Sequence, residues 1–226
     1  MNLIIVAIDG PSGVGKSSTS KAVARALHIP HIDTGAMYRA IAVKAMRSGV
    51  DVSDEAGLAG LAAQAHIDFD PSRDPARVLL DGSDVSAEIR QPDVSLAASA
   101  VSAVPAVRRV LVRLQQELGL RSGGVLEGRD IGTKVFPDTP FKFFLTASPA
   151  VRAERRFLEL EARGMPQDRA SVLAEMEQRD SQDSSRADSP LTFDDSYVLI
   201  DTSERTIAEV TEVIVERVRK AEIGVS

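Results

Sequence analysis

The chain has 226 residues, enough for one α/β domain with insertions or for two small lobes. Hydrophobic residues make up 43 %, charged residues 27 % and aromatics only 4 %, with no Trp and a formal net charge of −6. That balance argues against a general nucleic-acid surface, and the lack of cysteine excludes disulfides, thiolate nucleophiles and Cys-based zinc sites.

From the N-terminus, NLIIVAID (residues 2–9) is an apolar run of the kind found in strands buried on both faces of a parallel sheet. It reads as a strand rather than a signal peptide, because it is short, lacks a basic leader and runs into Asp9. Next, GPSGVGKSS fits G-x-x-x-x-G-K-[ST] through Gly10, Gly15, Lys16 and Ser17, with Pro11, Ser12, Gly13 and Val14 between them and Ser18 after. A strand precedes it and a helical pattern follows, the context a phosphate-binding loop requires. Glycines let backbone N–H groups converge on phosphate oxygens, and the helix N-terminus adds partial positive charge. Lys16 is suited to reach β- and γ-phosphates, and Ser17 to ligate Mg²⁺.

HIDTGAMYR (31–39) reads as a short strand and the start of a helix. Thr34 is either the helix N-cap or a group facing a ligand; Arg39 is either solvated or an anion contact. Residues 65–89 hold short alternating runs, with Asp81-Gly82 as a hairpin-turn signal, so a small antiparallel insert is expected there. Val107, Val110, Leu111, Leu114 and Leu118 repeat at helical spacing. LEGRDIG (126–132) follows a strand candidate and sets Arg129 beside Asp130. FKFFLTA and YVLIDT are further strands, and Ile207, Val210, Ile214 and Val218 mark one face of a terminal helix. Strands alternating with helices predict a doubly wound α/β fold. His28, His31 and His66 do not have metal-ligand spacing, and no apolar stretch approaches the ~20 residues of a membrane span. A cytoplasmic protein without membrane or nucleic-acid partners is expected.

The arginines are concentrated at Arg39, at Arg129, from Arg152 to Arg163 (with Arg155 and Arg156), and from Arg179 to Arg186. Arg179, Asp183 and Arg186 would share one helical face. Each set alone also reads as a solvated salt-bridge ladder. Together, in an acidic chain, they suit phosphoryl transfer between two phosphorylated molecules, where two anions must be brought together and spreading charge neutralised.

The motifs IDGPSGVGKSS, DTGAMYR, VSAEIRQPDVSLAAS, EGRDIGTKVFPD, QRDSQDSSRA and YVLIDTS, in this order, resemble those of the nucleoside monophosphate kinases and, within them, the bacterial cytidylate kinase family. The resemblance spans essentially the whole chain. It implies a P-loop kinase core with a five-stranded parallel sheet, helices on both faces, a small antiparallel β insert and a helical lid. The expected layout is one kinase unit over 1–226. Residues 1–63 and 91–226 form the core, 64–90 the insert of the acceptor-binding domain, and 152–166 the lid. The implied reaction moves the γ-phosphoryl group of ATP to CMP or dCMP with Mg²⁺, in a monomer. By the same resemblance Arg39, Arg129 and Arg179 would hold the acceptor phosphate and Asp183 the ribose hydroxyls. Ser99, Arg108, Asp130 and Arg186 would frame the cytosine, with Thr34 nearby. Arg155 and Arg156 would belong to the lid arginines that close over the ATP phosphates. Lys16, Arg129, Arg155, Arg156 and Arg179 are thus the expected catalytic set. Asp33 is the nearest candidate for organising waters on Mg²⁺.

Overall fold

The computed structural model describes residues 3–70, 76–186 and 188–223. In chain order the strands are β1 (Ile5–Asp9), β2 (His31–Asp33), β3 (Ile67–Asp70), β4 (Arg77–Leu80), β5 (Ser83–Asp84), β6 (Gly124–Gly128), β7 (Phe141–Thr146) and β8 (Val198–Asp201). The α-helices are α1 (Lys16–Leu27), α2 (Thr34–Ser48), α3 (Glu55–Ala63), α4 (Pro92–Val101), α5 (Pro105–Ser122), α6 (Pro149–Ala162), α7 (Arg169–Ser185) and α8 (Ile207–Ile223). The chain divides into two compact units, residues 1–31 with 122–226, and residues 32–121.

The five-stranded sheet has the order β2-β6-β1-β7-β8, and β1, β6, β7 and β8 pair in parallel. Alternation along the strands sorts their side chains. Val6 and Ile8 of β1, Phe143 and Leu145 of β7 and Ile200 of β8 pack in one core with Val23 and Ala24 of α1 and with Val210, Ile214 and Val218 of α8. Burying each large aliphatic side chain contributes about 1.5–3 kcal/mol, so this face holds the sheet together. Ile207, expected on the same helix face, is 49 % exposed because it is the first residue of α8. The alternate residues, Asp9 of β1 and Lys142 and Phe144 of β7, point to the other face. β1 is central and the chain leaves it in both directions, so the loop after it lies at the position where parallel α/β sheets bind ligands.

In the second unit β3, β4 and β5 form an antiparallel sheet. Asp81 and Gly82 join β4 to β5 with φ of 50° and 80°, as the sequence signal required. This unit spans 32–121, wider than the 64–90 segment expected as the insert, of which residues 71–75 lie outside the described part. Met37, Ile41, Leu58, Leu80, Val94 and Leu111 are among its buried side chains. The buried side of α5 follows the expected helical repeat at Val107, Leu111 and Leu118 but also contains Arg108 and Gln115.

Candidate active site

The loop Gly10–Ser18 leaves the end of β1 and enters α1. Gly10 cannot carry a side chain: a Cβ there would sit 2.2 Å from the Leu145 carbonyl oxygen. α1 starts with no capping side chain and no acidic residue in its first turn, so its first N–H groups are not engaged by a side-chain acceptor of the cap. Those are the donors a phosphate takes. Lys16 is buried, and its ammonium donates to the Pro11 carbonyl. Burial pushes its pKa well below the usual lysine range, and Arg129 and Arg179 push the same way while Glu127 and Asp183 oppose them. Lys16 is thus buried within electrostatic range of Arg129 and Arg179 and of the carboxylates Glu127 and Asp183.

Ser17 Oγ donates to Glu127 Oε2 at 2.8 Å, and His31 Nε2 lies 2.9 Å from Glu127 Oε1. Glu127 is 3 % exposed at the end of β6. The carboxylate that meets the Ser17 hydroxyl is thus Glu127 rather than Asp33. Asp33 instead caps α2, with Oδ1 accepting the Ala36 N–H at 3.0 Å and Oδ2 accepting Arg39 Nη2 at 2.8 Å. Asp33, not Thr34, is the N-cap; Thr34 is the first helical residue and is buried. Hydroxyl and carboxylate oxygens are the ligand types Mg²⁺ prefers, directly or through water, so Ser17 and Glu127 fit that ion.

Arg129, Asp183 and Arg186 form one cluster in the first unit. Asp183, 1 % exposed on α7, accepts Arg129 Nε at 2.8 Å and a second bond from Arg186 Nη2. Burial opposes its charge, but Arg129, Arg186 and Arg179 together hold its pKa below the ordinary carboxylate value. Burial likewise opposes the charge of Arg129, and Asp183, Asp180 and Glu127 overcome it. The helical spacing of Arg179, Asp183 and Arg186 is realised on α7 and its C-cap.

Arg129 and Asp130 stand where β6 has ended and a single π-helical turn, Ile131–Val135, begins. Leaving the strand lets neighbours escape its strict alternation. Asp130 is buried and does not cap the turn with its side chain. Asp9 does: Oδ1 accepts the Ile131 N–H and Oδ2 the Gly132 N–H, both at 2.9 Å. Tyr197 Oη donates to Asp9 Oδ2 at 2.8 Å.

The charged stretch from Arg152 forms α6. Arg152 is buried and donates to the carbonyls of Ala147 (3.2 Å) and Ser12 (3.3 Å) and to Asp180 (2.5 Å). Arg155 donates to Thr202 Oγ1 and to its carbonyl, at 3.1 and 2.6 Å. Thr202 Oγ1 in turn donates toward the Val14 carbonyl at 2.9 Å. Arg156 and Arg163 both pair with Glu159.

The second unit carries Thr34, Arg39, Ser99 and Arg108. Arg108 is 2 % exposed, donates to the Ser102 carbonyl at 3.1 Å and stacks 5.4 Å from the Tyr38 ring centroid, so it is not a solvated helix residue. Ser99 is half-buried on α4, and its carbonyl accepts Ser102 Oγ. Sequence reasoning missed Asp9, Glu127 and Thr202. The available signal for the first two was a carboxylate ending, or nearly ending, an otherwise apolar buried strand. Among the described residues no cluster of three or more His, Cys, Asp or Glu side chains is placed to hold a metal, and no single helix is long and apolar enough to cross a membrane.

Residues 6–220 match the sequence model of the cytidylate kinase family. A cytidylate kinase from Geobacter sp. (strain M21) is 48 % identical over 219 residues, covering 97 % of this chain and 94 % of that protein. One from Mycobacterium avium (strain 104) is 48 % identical, covering 96 % of each. A bifunctional pantoate ligase/cytidylate kinase from Synechococcus elongatus is 46 % identical over 97 % of this chain, which spans 43 % of that protein. Among solved structures, an uncharacterized protein from Eubacterium ventriosum aligns with a TM-score of 0.53 at 13 % identity, over 97 % of this chain and 99 % of that one, a likeness of fold alone.

Proposed function

The chain belongs to the cytidylate kinase family and is an ATP-dependent CMP kinase, and from that premise we propose how its own residues accomplish the transfer. The γ-phosphoryl group of ATP passes in line to a phosphate oxygen of CMP or dCMP, giving ADP and CDP or dCDP. That nucleophile is already anionic near neutral pH, since its second pKa is about 6, so no protein base is needed. Catalysis then rests on positioning and charge neutralisation.

The observation that carries this reading is the buried Lys16 at the start of α1, where the phosphate loop enters a helix with no capping side chain and no acidic residue in its first turn. The N–H groups of Gly10 to Ser18 and the start of α1 take the ATP phosphates. Ser17 and Glu127 would hold Mg²⁺, directly or through water, and the ion would supply positive charge to the ATP phosphates. Arg129 and Arg179 of the first unit take the acceptor phosphate. Asp183 takes the ribose hydroxyls. Asp130 accepts the cytosine amino group and Arg186 serves its ring acceptors. Uracil would put an oxygen where that amino group was, leaving buried groups unpaired at about 1–3 kcal/mol. The lid, residues 152–166, closes over ATP. Arg155 and Arg156 exchange Thr202 and Glu159 for phosphate oxygens, and water is excluded.

A coupled assay of ADP release with CMP, dCMP, UMP, AMP, GMP and shikimate tests this. CMP and dCMP are expected to be fastest, with turnover dependent on Mg²⁺. Equal or faster turnover with UMP, AMP or shikimate would overturn the acceptor assignment.

A further inference from the structure

Asp9 stands directly before Gly10 and is fully buried, yet it lies outside the phosphate loop. A carboxylate of this kind is rare in a protein interior unless something holds it. Here the holding groups are specific: the N–H of Ile131, the N–H of Gly132 and the Tyr197 hydroxyl. The first two are the leading donors of the π-helical turn, which have no partner inside it. The turn's own preceding residue, Asp130, does not cap it. The cap therefore comes from a different strand, and the two capped residues directly follow Arg129 and Asp130.

The packing around this contact leaves little freedom. A Cβ on Gly132 would sit 2.6 Å from Tyr197 Oη and 3.0 Å from Lys142 Cδ. The Tyr197 ring is met edge-on by Phe144 at 6.2 Å and lies 5.9 Å from Lys142 Nζ. Asp9 pairs with Gly128 in the β1–β6 register, so the carboxylate lies alongside the point where β6 gives way to Arg129.

We propose that Asp9 is a positioning residue for phosphoryl transfer: its two carboxylate oxygens fix the backbone that presents Arg129 and Asp130. One side chain thereby sets the acceptor-reading pair relative to the phosphate loop it adjoins, with Tyr197 fixing the carboxylate's rotamer. The charge itself is disfavoured where it stands. Burial, followed by the nearby Asp130 charge, raises the Asp9 pKa to about 6 against the hydrogen bonds that lower it. A residue retained only for packing would be better served by a neutral side chain.

This inference rests on the kinase reading, and the test separates the two. Wild type, Asp9→Asn and Tyr197→Phe are compared for CMP binding by calorimetry, ATP binding without acceptor, kinetics with CMP and UMP, and cooperative unfolding. Asn keeps the shape of Asp but turns an NH₂ toward one of the two backbone donors. The expected result for Asp9→Asn is a loss of about 10- to 100-fold in kcat/KM for CMP. The CMP-over-UMP preference should be reduced, and ATP affinity held within about threefold. Tyr197→Phe should change in the same direction by less. Should Asp9→Asn not fold, Tyr197→Phe alone decides, because it removes one hydroxyl and leaves the carboxylate. CMP kinetics and base preference within about twofold of wild type overturn the proposal, as does an equal loss of ATP affinity. A wild type that turns over CMP while the variants behave identically sinks the Asp9 role alone. A wild type that neither binds nor phosphorylates CMP sinks both readings.

Discussion

Replacing Asp9 by Asn should change the pH dependence of stability in a direction opposite to that expected for a carboxylate held ionised by arginines, such as Asp183. The Asp9 pKa is raised from the ordinary 3.8 to about 6, with burial as the largest cause and the Asp130 charge adding to it. The folded state then holds the Asp9 proton more tightly than the unfolded state. The resulting stabilisation is fully present below pH 3.8 and is lost as pH rises through about 6. At 1.36 kcal/mol per pH unit the whole effect is about 3 kcal/mol, and roughly 2 kcal/mol of it falls between about pH 4.5 and 7.5. Asn does not titrate, so the difference in unfolding free energy, wild type minus Asp9→Asn, should fall by about 2 kcal/mol across that interval. Urea unfolding at a series of pH values measures it, and subtraction cancels the other titrating groups. A difference that stays flat, or that grows with pH, would refute the account of Asp9 as a charge held against its own desolvation.

Asp183→Asn should destabilise the protein by about 3–5 kcal/mol, because Arg129 and Arg186 lose their shared buried partner; denaturant titration at pH 7 checks it. The Asp183 pKa is lowered, so its contribution is present above the ordinary carboxylate value of 3.8 and is lost as pH falls through the lower folded one. Asp130→Ala should lose the preference for CMP over UMP along with rate, read from kcat/KM for both acceptors; a variant with full preference would remove Asp130 from the base site. Glu127→Gln should raise the Mg²⁺ concentration for half-maximal activity and weaken Mn²⁺ binding measured by electron paramagnetic resonance in the presence of ADP, with the fold retained. Unchanged Mn²⁺ affinity would return the search to another carboxylate.

The phosphate loop was legible because its function depends on local geometry, with glycines, a lysine and a hydroxyl at fixed spacing between a strand and a helix. The hairpin at Asp81-Gly82 was legible for the same reason, since the residues that tolerate positive φ announce the turn. Arg179, Asp183 and Arg186 could be placed on one face because helical periodicity is a local rule. Of the two readings of Thr34, the N-cap went instead to Asp33, since both residues are good caps and only the backbone decides between them. The burial of Arg108 beside Tyr38 was not legible, because an arginine on an amphipathic helix looks the same whether it faces water or the interior.

The sequence by itself determined the alternation of strands and helices, the place of the phosphate loop and the residue types gathered for two anions, because periodicity and motif spacing are set by the nearby chain. Tertiary structure alone decided that Glu127 meets Ser17 across 110 positions of sequence. It also decided that Asp9 caps a turn 122 and 123 residues away and that Tyr197 holds it there. Such partners are chosen by strand order and register in the sheet. No local rule encodes them, and burial then makes each unmatched donor or acceptor costly enough to fix the choice.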